Sequence, residues 1–128
     1  MTTTTWTSDE LSRVGTADEL EIASLRKDGT LRPYVTIWVV RLGDDLYIRS
    51  AYGPGNGWFV RAKASGTGRI RAGGLERDVV FAEAEASVHD DIDAAYHAKY
   101  DRYGPAIVGT VVGPQVTATT IRLLPQSD

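Results

Sequence analysis

A glycine-rich loop followed by a short helix is the first segment of the sequence that could do chemistry. Residues 53–57 read Gly-Pro-Gly-Asn-Gly, and the run WFVRAKAS that follows predicts a helix from Trp58 to the glycine at position 66. Backbone N–H groups beside glycines and at a helix N-terminus attract anions, so a phosphate is one candidate ligand. The loop lacks the Lys-Ser/Thr ending of a P-loop and the spacing of a dinucleotide fingerprint, so a plain strand-to-helix turn is the more frequent alternative.

Aromatic and basic side chains come together on one predicted hairpin. A turn at residues 43–44 would place Trp38 opposite Arg49 and Val40 opposite Tyr47, so that Trp38, Tyr47 and Arg49 share a face. Such a group could hold a planar anionic ligand by stacking and charge. The arginine could equally cover the indole at a surface or a dimer contact, and the sequence leaves these two interpretations open.

A tyrosine-rich helix carries the third group of candidates. Residues 87–103 predict a helix that Ser87 caps, with aspartates near its positive end and a Gly-Pro pair at 104–105 ending it. Tyr96 and Lys99 are three residues apart, not four as in the Tyr-x-x-x-Lys pair of short-chain dehydrogenases, which favours a core-facing stripe. The aspartates lack the glycine and distal glutamate of an EF-hand, so a helix-dipole role is favoured over a metal site. The apolar face comprises Val88, Ile92, Ala95, Tyr96, Tyr100 and Tyr103.

Composition excludes several classes of function. The chain has 128 residues, the length of one ordinary domain, and its 42% apolar and 24% charged residues are near globular averages. Fourteen basic against 17 acidic residues give a net charge of −3, which provides no basic field for nucleic acid. Zero cysteines exclude disulfides and thiolate sites, and two histidines leave little for a metal centre. Without a run near the ~18 apolar residues of a membrane span or a signal-peptide pattern, we expect a cytoplasmic protein with no membrane contact.

The first element that would position these groups is a short helix. Thr7 and Glu10 fit a capping box, Trp6 can pack on Leu11, and Gly15 supplies a stop, which predicts a helix over about residues 8–14. A helix of this length should dock on the rest of the fold rather than stand alone.

Short strands joined by tight turns make up most of the remaining chain. The turns lie at residues 27–30, 43–44 and 73–74. The last turn would pair Arg71 with Glu76 and Arg69 with Asp78. The run YVTIWVV has two apolar faces, which predicts a strand covered on both sides, and TATTIRLL predicts a closing strand. Residues 106–115 take no secure assignment as a lid, a strand or a dimer arm.

This pattern predicts a mainly β chain of the α+β class. We expect a single domain over residues 1–128, with a disordered tail at 1–5 and a polar tail at 125–128. The strands are predicted to form a small, largely antiparallel barrel with helices at its openings.

The chain also resembles a known family. The segment RKDGTLRPYVTIWVVRLGDDLYIRSAYGPGNGWFVRAKASGTGRIRAGG resembles the split-barrel flavin-binding superfamily, specifically its deazaflavin-dependent nitroreductase branch. With AYHAKYDRYGPAIVGTVVGP and TIRLLP, the whole chain looks like the family called domain of unknown function 2255. The resemblance implies a six-stranded antiparallel split β-barrel with three short-to-medium helices, paired as a homodimer with ligand sites between the subunits.

The resemblance further implies FMN or a deazaflavin as cofactor, although GPGNGW replaces the Ser-Arg/Lys-Lys phosphate run of pyridoxamine-phosphate-oxidase-like members. The implied function is reduction of a small aromatic or quinone-like molecule by hydride transfer. The alternative is a non-catalytic small-molecule-binding or structural homodimer that has lost the cofactor. The candidates for cofactor binding are Arg32, Thr36, Trp38, Arg49, Ser50, Gly57, Trp58 and Arg61, and those for substrate contact are Tyr96 and Tyr100.

Overall fold

One antiparallel sheet organises the computed structural model, which describes residues 5–51 and 53–126. Its strands are β1 (Leu20–Ser24), β2 (Val35–Ile37), β3 (Val40–Leu42), β4 (Asp45–Arg49), β5 (Thr67–Ala72), β6 (Leu75–Glu83) and β7 (Thr120–Pro125). The α-helices are α1 (Ser8–Thr16), α2 (Gly57–Ser65), α3 (His89–Tyr100) and α4 (Pro105–Val108). Turns of 3₁₀ helix lie at Ala86–Val88, Asp101–Tyr103 and Pro114–Thr119.

The sheet is curled into a half-open barrel. Its strand order is β2-β1-β5-β6-β7-β4-β3, so β2 and β3 are its two edges. Only Trp38 and Val39 join these edges along the chain. Two residues cannot cross a flat sheet of this width, because neighbouring strands lie about 4.8 Å apart. The sheet therefore brings its edges together at this corner and leaves a split beside β2.

This architecture agrees with the expected split barrel, but the sheet has seven strands rather than six. The run YVTIWVVRL, expected as one strand, divides at Trp38 and Val39 into β2, paired with β1, and β3, paired with β4. The predicted pairing of Val40 with Tyr47 is confirmed. Trp38 lies outside both strands, so its predicted ladder position opposite Arg49 is wrong.

Apolar side chains cover both faces of the curled sheet. Leu46 and Ile48 of β4 belong to one buried cluster, which also contains residues of α1 and α2. Tyr47 belongs to a second cluster, built with residues of α3 and α4. Alternate residues of a strand point to opposite faces, so the two clusters lie on opposite sides of the sheet. A strand covered on both sides was predicted for YVTIWVV, and the prediction is wrong for β2, where Thr36 is exposed between the half-buried Val35 and Ile37; the strand covered on both sides is β4.

The α1 helix closes one face of the sheet. Its predicted capping box is confirmed: the Glu10 N–H donates to the Thr7 Oγ1 at 3.1 Å, and the Thr7 N–H donates to the Glu10 carboxylate at 2.9 Å. Trp6 is buried with Leu11 in the same cluster, and its indole Nε1 donates to the carbonyl of Leu123 in β7 at 2.9 Å. The expected stop at Gly15 is wrong, because the helix continues to Thr16.

The tyrosine-rich helix begins and ends differently from the expectation. Ser87 is not its cap: this residue lies in a 3₁₀ turn, and α3 starts at His89 without a side-chain cap. The helix ends at Tyr100, and a 3₁₀ turn carries the chain to Gly104, whose φ is 102°. The predicted apolar stripe is confirmed at its buried members, which are Ile92, Tyr96 and Tyr100.

The segment after α3 contains a fourth α-helix where three were expected. Residues 106–115 include most of α4 and the start of the 3₁₀ turn Pro114–Thr119, so β7 begins at Thr120 rather than at the start of TATTIRLL. Pro125 still pairs with Val79, and the N–H of Gln126 donates to the backbone carbonyl of Asp78 at 2.9 Å. The expected polar tail therefore starts later than residue 125. The remainder of both expected tails, residues 1–4 and 127–128, lies outside the described residues.

The third predicted hairpin has the expected register. Arg71 pairs with Glu76 and Arg69 with Asp78 across β5 and β6, and the Arg69 Nε donates to the Asp78 carboxylate at 2.7 Å. Separately, none of the helices in the described part of the chain is long and apolar enough to cross a membrane. The cytoplasmic location stays a prediction.

Gly68 in β5 provides a test of this packing. A Cβ there would lie 2.2 Å from the carbonyl oxygen of Ala23 on β1 and 2.8 Å from the Phe81 ring. Overpacking forces the backbone to shift, so Gly68→Ala should lower the free energy of unfolding by at least about 2 kcal/mol. Gly55→Ala, with nothing within 4 Å of its Cβ, should stay within about 0.5 kcal/mol of the parent. Urea unfolding of both variants checks this, and equal stabilities would contradict the close approach of β1 and β5.

Candidate functional site

A largely apolar cleft opens in the split of the barrel. Its volume is about 320 Å³, within the ~300–1,000 Å³ typical of small-molecule sites. It is bounded by β2, by the end of β4, by the start of α2, and by α4 with the turn after it. Its lining residues are Val35, Thr36, Ile37, Trp38, Arg49, Ala51, Asn56, Trp58, Ile107, Thr110 and Val111.

Two tryptophans form rigid walls of the cleft. Trp58, in the first turn of α2, is buried and meets Phe59 edge-on, with ring centroids 5.9 Å apart. Trp38 stacks flat on Tyr100, with centroids 4.0 Å apart and planes 5° apart, and Tyr103 lies 5.7 Å from it. Aromatic contacts of this kind hold each indole in one orientation. The cleft therefore presents fixed aromatic surfaces to a ligand.

The guanidinium of Arg49 lies at the base of the cleft with its side chain fully buried. Its Nε donates to Thr120 Oγ1 at 2.9 Å, and its Nη1 donates to the carbonyl of Val111 at 2.8 Å and to the Asp93 carboxylate. Its Nη2 donates to the carbonyl of His89 at 3.3 Å. One side chain thus joins β4 to β7, to α3 and to the turn that carries Val111.

Asp93 completes this arrangement from the side of α3. One of its carboxylate oxygens accepts a hydrogen bond from Arg49 Nη1, and the other accepts from the backbone N–H of Gly113 at 3.2 Å. A buried charge is stable only when it is paired and hydrogen-bonded. The pair therefore fixes the wall that Thr110 and Val111 contribute to the cleft.

A second, smaller cavity adjoins the cleft. It has a volume of about 10 Å³ and shares Val35 and Trp58 with the cleft, so the two cavities meet at the indole of α2. Arg32 and Arg61 line it together with Ser24. Over residues 5–51 and 53–126, no carboxylate or hydrogen-bonding group engages either guanidinium. Two cations without counter-charges beside an aromatic ring are suited to an anionic ligand group.

The loop before α2 is shaped by its polar and small residues. Ser50 is buried, and its Oγ donates to the carbonyl of Gly53 at 2.7 Å, so this hydroxyl braces the loop. A Cβ on Gly57 would lie 2.9 Å from an Arg61 guanidinium nitrogen, so glycine lets that side chain lie against the helix start. Asn56 precedes the helix without a side-chain capping bond and lines the cleft. Its amide can therefore bond to a ligand.

The two tyrosines proposed for substrate contact are enclosed in the core. Tyr96 and Tyr100 are both fully buried, and burial raises the pKa of each phenol above its usual value. The Tyr100 hydroxyl donates to the carbonyl of Asp18 at 2.7 Å and accepts from the N–H of Val39 at 3.2 Å. The Tyr96 hydroxyl has no hydrogen-bond partner within the described residues. Neither ring lines the cleft, so their role in substrate contact stays a prediction while their packing role is evident.

The other candidates gather at the split. Thr36, Trp38, Arg49 and Trp58 line the cleft, and Arg32 and Arg61 line the neighbouring cavity. Ile107, Thr110 and Val111 also line the cleft and were not singled out from the sequence. The available signal was the pair of Gly-Pro dipeptides around them, which marks a turn-rich segment but does not place it against the loop at 53–57.

Lys99 lies beside the aromatic group under the cleft. Its Nζ donates to the carbonyl of Val39 at 2.8 Å and lies 5.1 Å from the centroid of the Tyr100 ring. Burial lowers the pKa of Lys99 to about 8; the nearby Asp18 carboxylate opposes this shift and Arg102 adds to it. The fold thus keeps a partly desolvated ammonium next to stacked aromatic rings.

A larger and more open groove of about 630 Å³ lies elsewhere, along the ends of β1 and β5. Glu19, Glu21 and Glu76 are among its lining residues. Arg71, which also lines it, forms an ion pair with Glu21 at 3.4 Å, and its guanidinium lies 3.7 Å from the centroid of the Tyr34 ring. Polar surface without a fixed apolar wall is a poor ligand site. No group of three or more potential metal ligands occurs among the described residues.

Comparisons with known proteins agree with this architecture. A family model described as an uncharacterized protein conserved in bacteria, DUF2255, matches residues 10–123. A search of curated proteins gives no match to the chain.

Solved structures provide more distant relatives. An F420-H2 dependent reductase superposes with a TM-score of 0.60 at 17% identity, over 84% of this chain and 93% of that chain. An FAD-binding protein from Mesorhizobium loti has a TM-score of 0.52 at 15% identity, over 97% and 91%. A chain described as a domain-swapped dimer has a TM-score of 0.60 at 17% identity, over 84% and 79%. Likeness at these identities shows the fold alone.

The Arg49–Asp93 pair makes a first prediction for this site. Removing one partner of a buried pair leaves a charge uncompensated, so Asp93→Ala should lower the free energy of unfolding by about 3 kcal/mol. Asp78→Ala, which breaks the exposed pair with Arg69, should cost less than about 1 kcal/mol. Chemical denaturation gives the free energy of unfolding of the two variants. Equal decreases would show that the buried pair stabilises the fold no more than the exposed pair does.

The lowered pKa of Lys99 makes a second prediction. Between about pH 8 and pH 10 the unfolded lysine, with its usual pKa of 10.5, binds more protons than the folded one, so stability should rise with pH. Above this window stability should fall, because Tyr96 and Tyr100 ionise more readily in the unfolded chain. Lys99→Met should abolish the rise, whereas Lys27→Met should keep it. Urea unfolding at a series of pH values checks this, and a rise that survives in Lys99→Met would contradict it.

Proposed function

This chain belongs to the DUF2255 family of proteins conserved in bacteria, and we propose that it binds a flavin or deazaflavin and reduces a small aromatic or quinone-like molecule. The observation that carries the proposal is the pair of adjoining cavities that share Trp58. One is apolar and aromatic, and the other is lined by two arginines that have no partner among the described residues. A flavin-type cofactor has the matching parts, a planar ring and a phosphate.

The cleft supports the ring part of this proposal. Trp38 and Trp58 are fixed by their aromatic neighbours and give the ring a surface for stacking. Asn56 and Thr110 supply polar groups at the cleft wall that can bond to the edge of a heterocycle. A few placed polar groups in an otherwise apolar site are typical of cofactor binding.

The smaller cavity supports the phosphate part. Arg32 and Arg61 both line it together with Trp58, and neither guanidinium has a hydrogen-bond or ion-pair partner over residues 5–51 and 53–126. The cavity itself has a volume of about 10 Å³, which is room for no more than about one water molecule, so the phosphate would lie outside it, against the two arginines. We therefore propose Arg32 and Arg61 as the phosphate-binding residues rather than Arg49, which donates to Thr120, Asp93, Val111 and His89 within the protein.

The chemistry follows from this division of labour. A bound flavin or deazaflavin supplies hydride transfer, and the protein supplies binding, orientation and exclusion of water. No histidine or carboxylate lies among the described residues that line the cleft, so this wall offers no acid or base to a substrate. The exposed Ile107 at the rim extends the apolar surface beyond the ring, where an aromatic substrate would stack.

We further propose a homodimer with the cleft near the subunit boundary. The open edge strand β2 and the half-exposed Ile107 stand at the mouth of the cleft. A structural neighbour is described as a domain-swapped dimer, which supports pairing in this fold.

A second candidate is a non-catalytic small-molecule-binding homodimer. The observation that favours it is the ion pair between Arg49 and Asp93, because a guanidinium neutralised in this way is not available to bind a cofactor phosphate. The aromatic cleft would then take a neutral ligand with no redox chemistry.

A titration with FMN and with a deazaflavin coenzyme, followed by tryptophan fluorescence, tests the proposal. One of the two should quench saturably at micromolar concentrations, and Trp58→Phe should reduce the amplitude. Arg32→Gln and Arg61→Gln should each weaken binding roughly tenfold, because hydrogen bonds to charged groups contribute about 1.5–3 kcal/mol. Arg13→Gln, on the exposed side of α1 and paired with Asp9, is the matched control and should leave affinity unchanged.

Two results would contradict the proposal. Absence of quenching with both cofactors would favour the non-catalytic alternative. Quenching that is unaffected in both arginine variants would place the phosphate elsewhere and leave the smaller cavity without a role.

A further inference from the structure

We propose that Asp93 determines the ligand selectivity of the cleft by cancelling the charge of Arg49, so that the cleft accepts a neutral ring and rejects one bearing a carboxylate or sulfonate. Asp93 acts through Arg49 and is a positioning residue, since it does not itself line the cleft. Of the proposed function, this inference rests only on the statement that the cleft binds a ligand ring.

The first step is that Arg49 is the one charged side chain in the lining of the cleft over the described residues. Every other lining side chain is aromatic, aliphatic, hydroxyl or amide. Charge interactions are strong where apolar walls exclude water. The net charge felt by a ligand at the base of the cleft is therefore decided by Arg49 and its partner.

The second step is that four of the five N–H bonds of Arg49 are donated to acceptors within the protein. A guanidinium has five N–H bonds. Nε is used by Thr120, Nη1 by Asp93 and the carbonyl of Val111, and Nη2 by the carbonyl of His89, with the His89 Nδ1 at 3.5 Å. An anionic ligand in the cleft would therefore have to displace one of these protein acceptors or make do with the single N–H that faces the His89 Nδ1.

The third step is that Asp93 reaches Arg49 from outside the cleft. Its side chain is 27% exposed, while that of Arg49 is fully buried. Arg49 and the N–H of Gly113 donate to different oxygens of Asp93. Asn at this position keeps one oxygen, which can accept from Arg49, and its NH₂ replaces the oxygen that accepts from Gly113. Asp93→Asn therefore removes the negative charge at the cleft base and keeps the hydrogen bond to Arg49, at the loss of the one from Gly113.

The experiment uses two probes with the same ring system and different charge. These are the anionic 1-anilinonaphthalene-8-sulfonate and the neutral N-phenyl-1-naphthylamine, each followed by probe fluorescence and by energy transfer from tryptophan. The measured quantity is the ratio of the two dissociation constants. In the parent protein the neutral probe should bind more tightly. In Asp93→Asn the ratio should shift toward the sulfonate by roughly tenfold, the scale of one close charge pair.

Two controls isolate the effect of the charge. Asp91→Asn is on the same helix and changes the net charge by the same amount. Because Asp91 is exposed and does not contact Arg49, the ratio of dissociation constants for this variant should equal that of the parent protein. The double variant Arg49→Gln/Asp93→Asn has no charge at the base and should return to the parental preference. The double variant also tests the proposal if Asp93→Asn alone does not fold, because it should then fold and keep the neutral preference.

The sulfonate could also bind at the outer arginines. The shift caused by Asp93→Asn should therefore persist in an Arg61→Gln background, where that contribution is weakened. A partly unfolded variant would bind both probes more tightly and leave their ratio unchanged, which would count against the proposal.

The outcomes separate this inference from the proposed function. If the neutral probe binds the parent and Asp93→Asn leaves the ratio unchanged, or if the double variant prefers the sulfonate, the role of Asp93 is overturned. If neither probe binds with energy transfer from tryptophan, the cleft is not a ligand site and the proposed function fails with it. If the ratio shifts but no flavin binds, the selectivity of the cleft stands and only the flavin chemistry is lost.

Discussion

The buried guanidinium of Arg49 is the interaction on which the arrangement of the site depends. The side chain leaves the end of β4 and is held by groups from β7, from α3 and from the turn that carries Val111. Desolvating a cation is costly unless each donor finds an acceptor, so these elements must meet in one geometry for the charge to be tolerated. The same geometry places Val111 and Thr110 opposite the edge strand and so forms one wall of the cleft. The buried pair of Arg49 and Asp93 therefore helps to hold one wall of the cleft in place.

The curl of the sheet explains why a cleft exists beside this charge. The two edge strands are consecutive in the chain and are joined by Trp38 and Val39, which pulls the edges together at one corner. The outer edge of β2, opposite its partner β1, has no neighbouring strand in the sheet. An unpaired strand edge in a soluble protein has to be covered or used. Here α2, α4 and the intervening loops line the space beside it, and the aromatic rings that stack under Trp38 keep that space from collapsing.

The separation of charge across Trp58 distinguishes the two cavities chemically. On one side Asp93 neutralises Arg49, and on the other Arg32 and Arg61 have no counter-charge within residues 5–51 and 53–126. A ligand with a neutral aromatic part and an anionic tail matches this order, whereas a ring that carries its charge on its own edge does not. The membership of the chain in DUF2255 and the fold it shares with flavin- and F420-linked proteins provide the scaffold, but the charge pattern belongs to the residues of this chain.

The sequence by itself determined the local features whose physics acts over a few residues. The capping box of Thr7 and Glu10, the left-handed glycine that ends α2 and the register that pairs Arg69 with Asp78 depend only on neighbouring positions. The family resemblance added the split barrel and the grouping of Arg32, Trp58 and Arg61. Only the tertiary structure decided the partner of Arg49. Asp93 lies 44 residues away in the sequence, and a guanidinium donates to whichever acceptor the fold brings close to it. The division of YVTIWVVRL into two edge strands was decided in the same way, because the curl of the whole sheet, and not the apolar pattern of the run, sets where each half finds its neighbour.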